Sequence, residues 1–250
     1  PPRQGTTCPR PVGRVPPDMT ASAPPPPHAR AGVSPVPQWL LAGYVLVWAL
    51  LAIAPFDRRD WALENILAVL FVAGLVATYR RFQFSTVSYL LITLFLLLHA
   101  VGAHYTYSEV PFGFWLKDAL SLARNPFDRL VHFAYGLLLV YPVRELLIRT
   151  AGLRGFWAFY LPISGVLAES GFFEIVEAVV ADIVSPELGA AYLGTQGDPW
   201  DAQKDMLAGA GGALLTTVVV TLGRFGPRSD GADRSAVSAR GEPHAERFRP

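Results

Sequence analysis

The stretch TVSYLLITLFLLLHAVGA, residues 86–103, decides the fold class. It runs for 18 residues without an Asp, Glu, Lys or Arg. A helix rises about 1.5 Å per residue, so roughly 20 such residues cross the ~30 Å hydrocarbon layer of a bilayer. Working outward, further apolar runs occupy 38–56, 61–78, 127–149, 156–184 and 200–222. Pro55 and the charged run Asp57, Arg58, Arg59, Asp60 close the first, and Tyr79, Arg80 and Arg81 stop the second. Gly223 and Arg224 end the last. The runs at 156–184 and 200–222 are the weaker signals, because they carry acidic or many small residues. Hydrocarbon offers no water to backbone N–H and C=O groups, which leaves helices as the form for these spans. The expectation is an all-α, polytopic membrane bundle of about six transmembrane helices.

Composition agrees. Hydrophobic residues make up 52% of the 250 and charged residues 16%, against about 25% charged in soluble domains. Mean hydropathy is +0.32. A formal net charge of +1 gives no sign of a nucleic-acid partner; the partner expected is the lipid bilayer. Cys8 is the only cysteine, which excludes an internal disulfide and a cysteine-built metal site.

Residues 1–37 are rich in Pro, Ala and Arg, with consecutive prolines from Pro24 to Pro27, and 224–250 are polar with Pro and Gly. Neither segment has the apolar surface to offset ordering entropy, so both read as disordered tails around a transmembrane domain at 38–223. Met19 is a candidate start of the natural chain. The first apolar run is longer than a signal-peptide core and lacks an A-x-A site, so no cleavable signal is expected. Between the third and fourth spans, Tyr105, Tyr107, Phe112, Phe114 and Trp115 mark an interfacial segment, with a short helix expected over 111–123. Residues 185–199 read as a loop.

Orientation follows from Lys and Arg near the span ends. Arg30, Arg80, Arg81, Arg144, Arg149, Arg154, Arg224 and Arg228 lie on the side of the N-terminus; Arg58, Arg59, Lys117, Arg124, Arg129 and Lys204 lie opposite. The excess places both termini in the cytoplasm.

Ionisable groups inside spans are rare and functional, costing roughly 3 kcal/mol each at mid-helix. Here they gather. Asp128 and His132 stand four apart at the start of one span, Asp201 and Asp205 four apart at the start of another. Glu169, Glu174 and Glu177 share one helix, within an arc of roughly 140° at 100° per residue. Connectivity puts all of them near one face, with Glu169 alone near mid-depth; His99, His104 and Glu64 fall on the same side. Carboxylates and imidazoles in low dielectric must bind a cation, share protons or pair with Arg129. His132, Glu174, Glu177 and Asp205 form the candidate ligand set for a divalent metal ion, since carboxylate with imidazole suits Zn²⁺, Mn²⁺ or Fe²⁺. Asp128, Glu169 and Asp201 complete the candidate catalytic group.

Plainer roles compete. Asp128 and Asp201 suit helix N-caps. His99 suits packing and hydrogen bonding better than ligation, and Glu64 suits compensation of the helix dipole. Glu145 and Arg149 read as an i,i+4 pair. Gly209, Gly212 and Ala213 read as a face for close helix packing.

Several stretches resemble a known family. Gly102-Ala103-His104-Tyr105-Thr106-Tyr107-Ser108-Glu109-Val110-Pro111, the Asp-Arg-x-x-His segment within 125–136, Tyr141-Pro142-Val143-Arg144-Glu145, and above all the run from Leu193 to Met206 are similar to the YjdF-like bacterial inner-membrane proteins. The likeness covers about residues 39–222. Where that family shows a Tyr-Glu-x-x-Glu-Trp type of sequence, this chain has Phe173-Glu174-Ile175-Val176-Glu177-Ala178, so the carboxylates match and the flanking aromatics do not. The resemblance implies a location and a topology but no reaction. A looser likeness to VanZ-like membrane proteins rests on architecture alone. Three functions follow from the residues. One is a metal-assisted hydrolase or transferase acting on a lipid or envelope precursor. Another is a proton- or cation-binding transporter. The third is a non-catalytic scaffold.

Overall fold

A computed structural model of the protein describes residues 35–225. The expected tails at 1–34 and 226–250, with Cys8 and Met19, lie outside the described residues. Helix α1 (Val36–Leu51) is followed by α2 (Arg58–Thr78), α3 (Thr86–His104), α4 (Pro111–Ala119), α5 (Phe127–Ala151), α6 (Trp157–Ile183), α7 (Pro186–Leu193) and α8 (Asp201–Phe225). No strand occurs among the described residues. The chain is an all-helical, polytopic membrane bundle. Helices α2, α3, α5 and α8 are long and apolar enough to cross a membrane, and α1 is a shorter apolar helix. Helix α6, the longest among the described residues at 27 residues, carries Glu169, Glu174, Glu177 and Asp182. These six correspond in order to the six expected spans, with α1 at Val36–Leu51 rather than 38–56 and α8 at Asp201–Phe225 rather than 200–222.

Local sequence sets the helix ends. Asp57 caps α2 by accepting from the backbone N–H groups of Arg59 and Asp60, so α2 starts inside the charged run that reads as a loop. Ser85 caps α3. The interfacial helix forms as α4, with Pro111 in its first turn and Phe112 stacked on Trp115 at 5.5 Å. The segment expected to be a loop at 185–199 contains α7, and its signals were present. Ser185 caps it, Pro186 sits in its first turn, and Gly194 ends it at φ +57°.

Helix α5 is central and packs on α3, α6 and α8, while α1 packs on α3, and α2 on α3 and α7. One buried cluster joins Tyr44, Ala68, Ile92, Leu96, Ala100 and Leu139. Another joins Val140, Val166 and Ala213. The α5–α8 contact is the closest. A methyl group on Gly136 would overlap the Gly209 carbonyl oxygen, and one on Gly212 would overlap that of Phe133. Thr216 donates to the Leu137 carbonyl at 2.5 Å across the same seam. The face of small residues expected on the last span is therefore this contact, with Gly136 opposite it. At the far end of α5, Glu145 accepts from Ser85, Ser88 and Arg149. The expected Glu145–Arg149 pair thus also fastens the α2–α3 turn.

Candidate functional site

Helices α5 and α8 run side by side in the same direction, and their glycine contact sets their register. His132 lies one turn before Gly136, and Asp205 one turn before Gly209. Bringing the two glycines together therefore brings His132 level with Asp205. Helix α6 runs the other way. Its Ser170 lies against Gly209, so Glu174, one turn on, reaches the same level.

The result is a three-span cluster. Asp128, His132 and Asp205 each offer a ligand atom, all within 4.8 Å of one another. His132 Nε2 stands 3.6 Å from Asp128 Oδ1 and 3.7 Å from Glu174 Oε1. These spacings are too long for hydrogen bonds. They match two donors sharing one ion, because ligands about 2.1 Å from a tetrahedral centre stand about 3.4 Å apart. Glu174 Oε1 and Asp205 Oδ1 are buried and accept no hydrogen bond. His132 is held from one side by the Phe173 ring, 6.0 Å between centroids.

The other expected site residues are placed as follows. Glu177 is buried and interacts electrostatically with Glu174, Asp128 and Glu64. Asp201 is buried but engaged. Arg124 pairs with it, and Arg129 donates to it at 3.0 Å. Glu169 is exposed and stands apart from the cluster, on the wall of a cavity of about 490 Å³ that also reaches His132 and Glu177. Asp128 makes no cap hydrogen bond. The capping contact before α8 comes from Asp198, which accepts from the Trp200 N–H at 3.1 Å. His99 uses both ring nitrogens, one toward the Glu64 carbonyl oxygen and one toward the Tyr107 hydroxyl, as the packing role requires.

Of the frame around the cluster, the sequence pointed only to Arg129. Arg124 reaches the carbonyls of Gly194 and Thr195 and lies 3.8 Å from Asp128. Arg129 donates to Asp198 at 2.5 Å and lies 3.6 Å from Asp205. Lys204 and Arg129 hydrogen-bond Asp198 and hold its carboxyl well below the usual carboxylate range. Asn125 is a buried hub. It donates to the carbonyls of Ser108 and Val110, accepts from the Phe127 N–H, and exchanges backbone bonds with the Gln196 amide. Burial holds the phenols of Tyr107 and Tyr192 well above their ordinary range, so both remain protonated.

The family described as "Predicted membrane protein (DUF2238)" matches residues 36–224. The chain belongs to this family. It is also 38% identical over 174 residues to the inner membrane protein YjdF of Escherichia coli (strain K12), a match covering 69% of this chain and 82% of that relative. No solved structure matches. With its apolar helices, the likeness supports a multi-pass protein of the inner membrane. In this DUF2238 chain three of the four resemblance-bearing segments lie around the cluster. Residues 102–111 supply Tyr107, residues 125–136 supply Asn125, Asp128 and His132, and the run from Leu193 to Met206 supplies Gln196, Asp198, Asp201 and Asp205.

Proposed function

We propose that this protein is a divalent-metal-dependent hydrolase or transferase acting on a lipid or lipid-linked envelope precursor at the periplasmic face of the inner membrane. The observation that carries this reading is the convergence of Asp128, His132 and Asp205 within 4.8 Å, beside the unpartnered oxygens of Glu174 and Asp205. Imidazole with carboxylates suits Zn²⁺, Mn²⁺ or Fe²⁺. A metal held there would supply a water of lowered pKa and polarise a carbonyl or phosphoryl oxygen.

The chain's own residues take the remaining roles. Asp128, His132 and Asp205 hold the ion, with Glu174 as fourth donor. Glu177, next to Glu174, accepts and returns a proton within the site. Arg124 and Arg129 occupy Asp201 and Asp198 and keep the α5 and α8 starts in register. The lipid substrate is supported by the cavity that opens from His132. Its other walls include Phe71, Leu139, Leu146 and Phe172. From His132 to Leu146 is 14 residues, about 21 Å along a helix, against about 15 Å for half the hydrocarbon core. A full acyl chain fits along that length while its head group stays at the carboxylates.

Elemental analysis of the detergent-purified protein tests the proposal. The expected result is close to one Zn²⁺, Mn²⁺ or Fe²⁺ per chain, lost in His132→Ala and in Asp205→Asn. A metal-free wild-type chain that cannot be reloaded, with phenotype unchanged in Glu174→Ala and His132→Ala, would overturn it in favour of a scaffold. Proton-coupled uptake into proteoliposomes would overturn it in favour of a transporter.

A further inference from the structure

A second group of carboxylates lies outside the cluster just described. Helix α2 turns a single stripe inward, with Asp60, Glu64 and Ala68 spaced four apart and all buried. Asp60 is 0% exposed, and neither of its carboxylate oxygens has a hydrogen-bond partner. Glu64 is 5% exposed with one oxygen unpartnered. Compensation of the helix dipole explains a carboxylate in a first turn that faces water. It does not explain two that are sealed from it.

The cations nearby in sequence are turned elsewhere. Arg58 donates to the Ala52 carbonyl, and Arg59 is exposed. His99 offers no proton to these carboxylates. A carbonyl can only accept, so Nε2–H donates to the Glu64 backbone oxygen. Nδ1 is then the acceptor, and the Tyr107 hydroxyl donates to it. The groups that do face the pair are acidic. Glu64 interacts electrostatically with Asp60 and Asp128, and Glu177 with Glu64. The Tyr192 ring on α7 lies within reach of Asp60, Glu64 and Glu177. Charged carboxylates without partners in such surroundings cost several kcal/mol each, so these either stay protonated or are completed by a cation.

We propose that Asp60 and Glu64, buried four apart on α2 with unpartnered oxygens, form a second cation site that takes a hard divalent ion, Ca²⁺ or Mg²⁺. The donors there are all oxygen, with no imidazole or sulfur, which is the set that hard cations select. The two sites therefore differ in chemistry as well as place. One is imidazole-containing on α5 and α8, and the other is all-oxygen on α2. The second does not depend on the first being occupied or catalytic.

Equilibrium dialysis of the full chain in detergent, stripped with chelator and then given Ca²⁺ or Mg²⁺, tests this. Wild type and His132→Ala should each bind one ion, and the thermal midpoint of each should rise on binding. The double variant Asp60→Asn/Glu64→Gln should bind at least tenfold more weakly, with no such rise. Its neutral amides keep the shape of the acids, and its midpoint in chelator should equal or exceed that of wild type, which separates lost binding from lost folding. Binding of neither ion by folded wild type would overturn the proposal. So would binding that the double variant retains, or binding that His132→Ala abolishes.

Discussion

Arg124 is the single side chain on which the arrangement of the acids depends most. It is largely buried, with its side chain 11% exposed, and it serves Asp201, Asp128 and two backbone carbonyls at once. Removing one partner of a buried ion pair leaves the other charge uncompensated, at about 3 kcal/mol or more. Arg124→Ala is therefore expected to lower the denaturation midpoint in detergent sharply, while Lys204→Ala, which removes a half-exposed partner of Asp198, should leave it nearly unchanged. Equal losses in the two variants would refute the assigned hierarchy. At this scale the sequence was legible in part. Periodicity places Glu169, Glu174 and Glu177 within one arc, yet Glu177 is buried while Glu169 is exposed. A helical period fixes angles between residues on one helix and says nothing of which direction faces the neighbours. The same gap hid Asp60. In the run Asp57, Arg58, Arg59, Asp60 every residue looks solvated, and only the cap at Asp57 turns the fourth of them inward.

Among the elements, the α5–α8 seam has consequences for chemistry. Because Gly136 meets the Gly209 backbone, a single methyl group must push the helices apart, and it does so one turn from His132 and Asp205. Overpacking of this kind costs about 1–3 kcal/mol. Gly136→Ala is expected to lose stability in that range and to lose the metal with it. Gly211→Ala, on the same stretch of α8 but with nothing within 4 Å of the added carbon, should be neutral or gain up to about 1 kcal/mol from helix propensity. Thermal denaturation with parallel metal analysis separates the two; a harmless Gly136→Ala would remove the seam as the device that sets the register. The small residues of α8 were readable as a packing face, but their partner was not. No one-dimensional pattern identifies Gly136 as the residue that must stay bare. Helix α7 was missed for another reason. Its cap, proline and terminal glycine are all in the sequence, but eight residues inside a polar stretch carry too little periodicity to stand out.

Over the whole molecule, charge and topology are linked through the membrane. The starts of α2, α5 and α8, the ends of α3 and α6, and the short helices α4 and α7 all fall on one face by connectivity. The contacts agree, because the Phe56 N–H donates to the His104 carbonyl and Arg124 reaches across to the 194–201 segment. On that face Asp198, Asp201 and Asp205 neutralise Arg124, Arg129 and Lys204. Arg80, Arg81 and Arg154 are exposed on short loops opposite. The basic residues opposite are the ground for expecting the acid cluster on the periplasmic side. In a chain with Cys8 replaced by Ser, a cysteine at Trp115, exposed on α4, should react with a membrane-impermeant maleimide in intact cells. A cysteine at Gln83, exposed in the α2–α3 turn, should react only after the membrane is opened. The reverse pattern would invert the orientation and move the proposed substrate to the cytoplasmic leaflet. Labelling of both positions from outside, or of neither, would break the shared-face topology itself. Asp128, His132, Glu174 and Asp205 meet only if the starts of α5 and α8 and the end of α6 lie on one side.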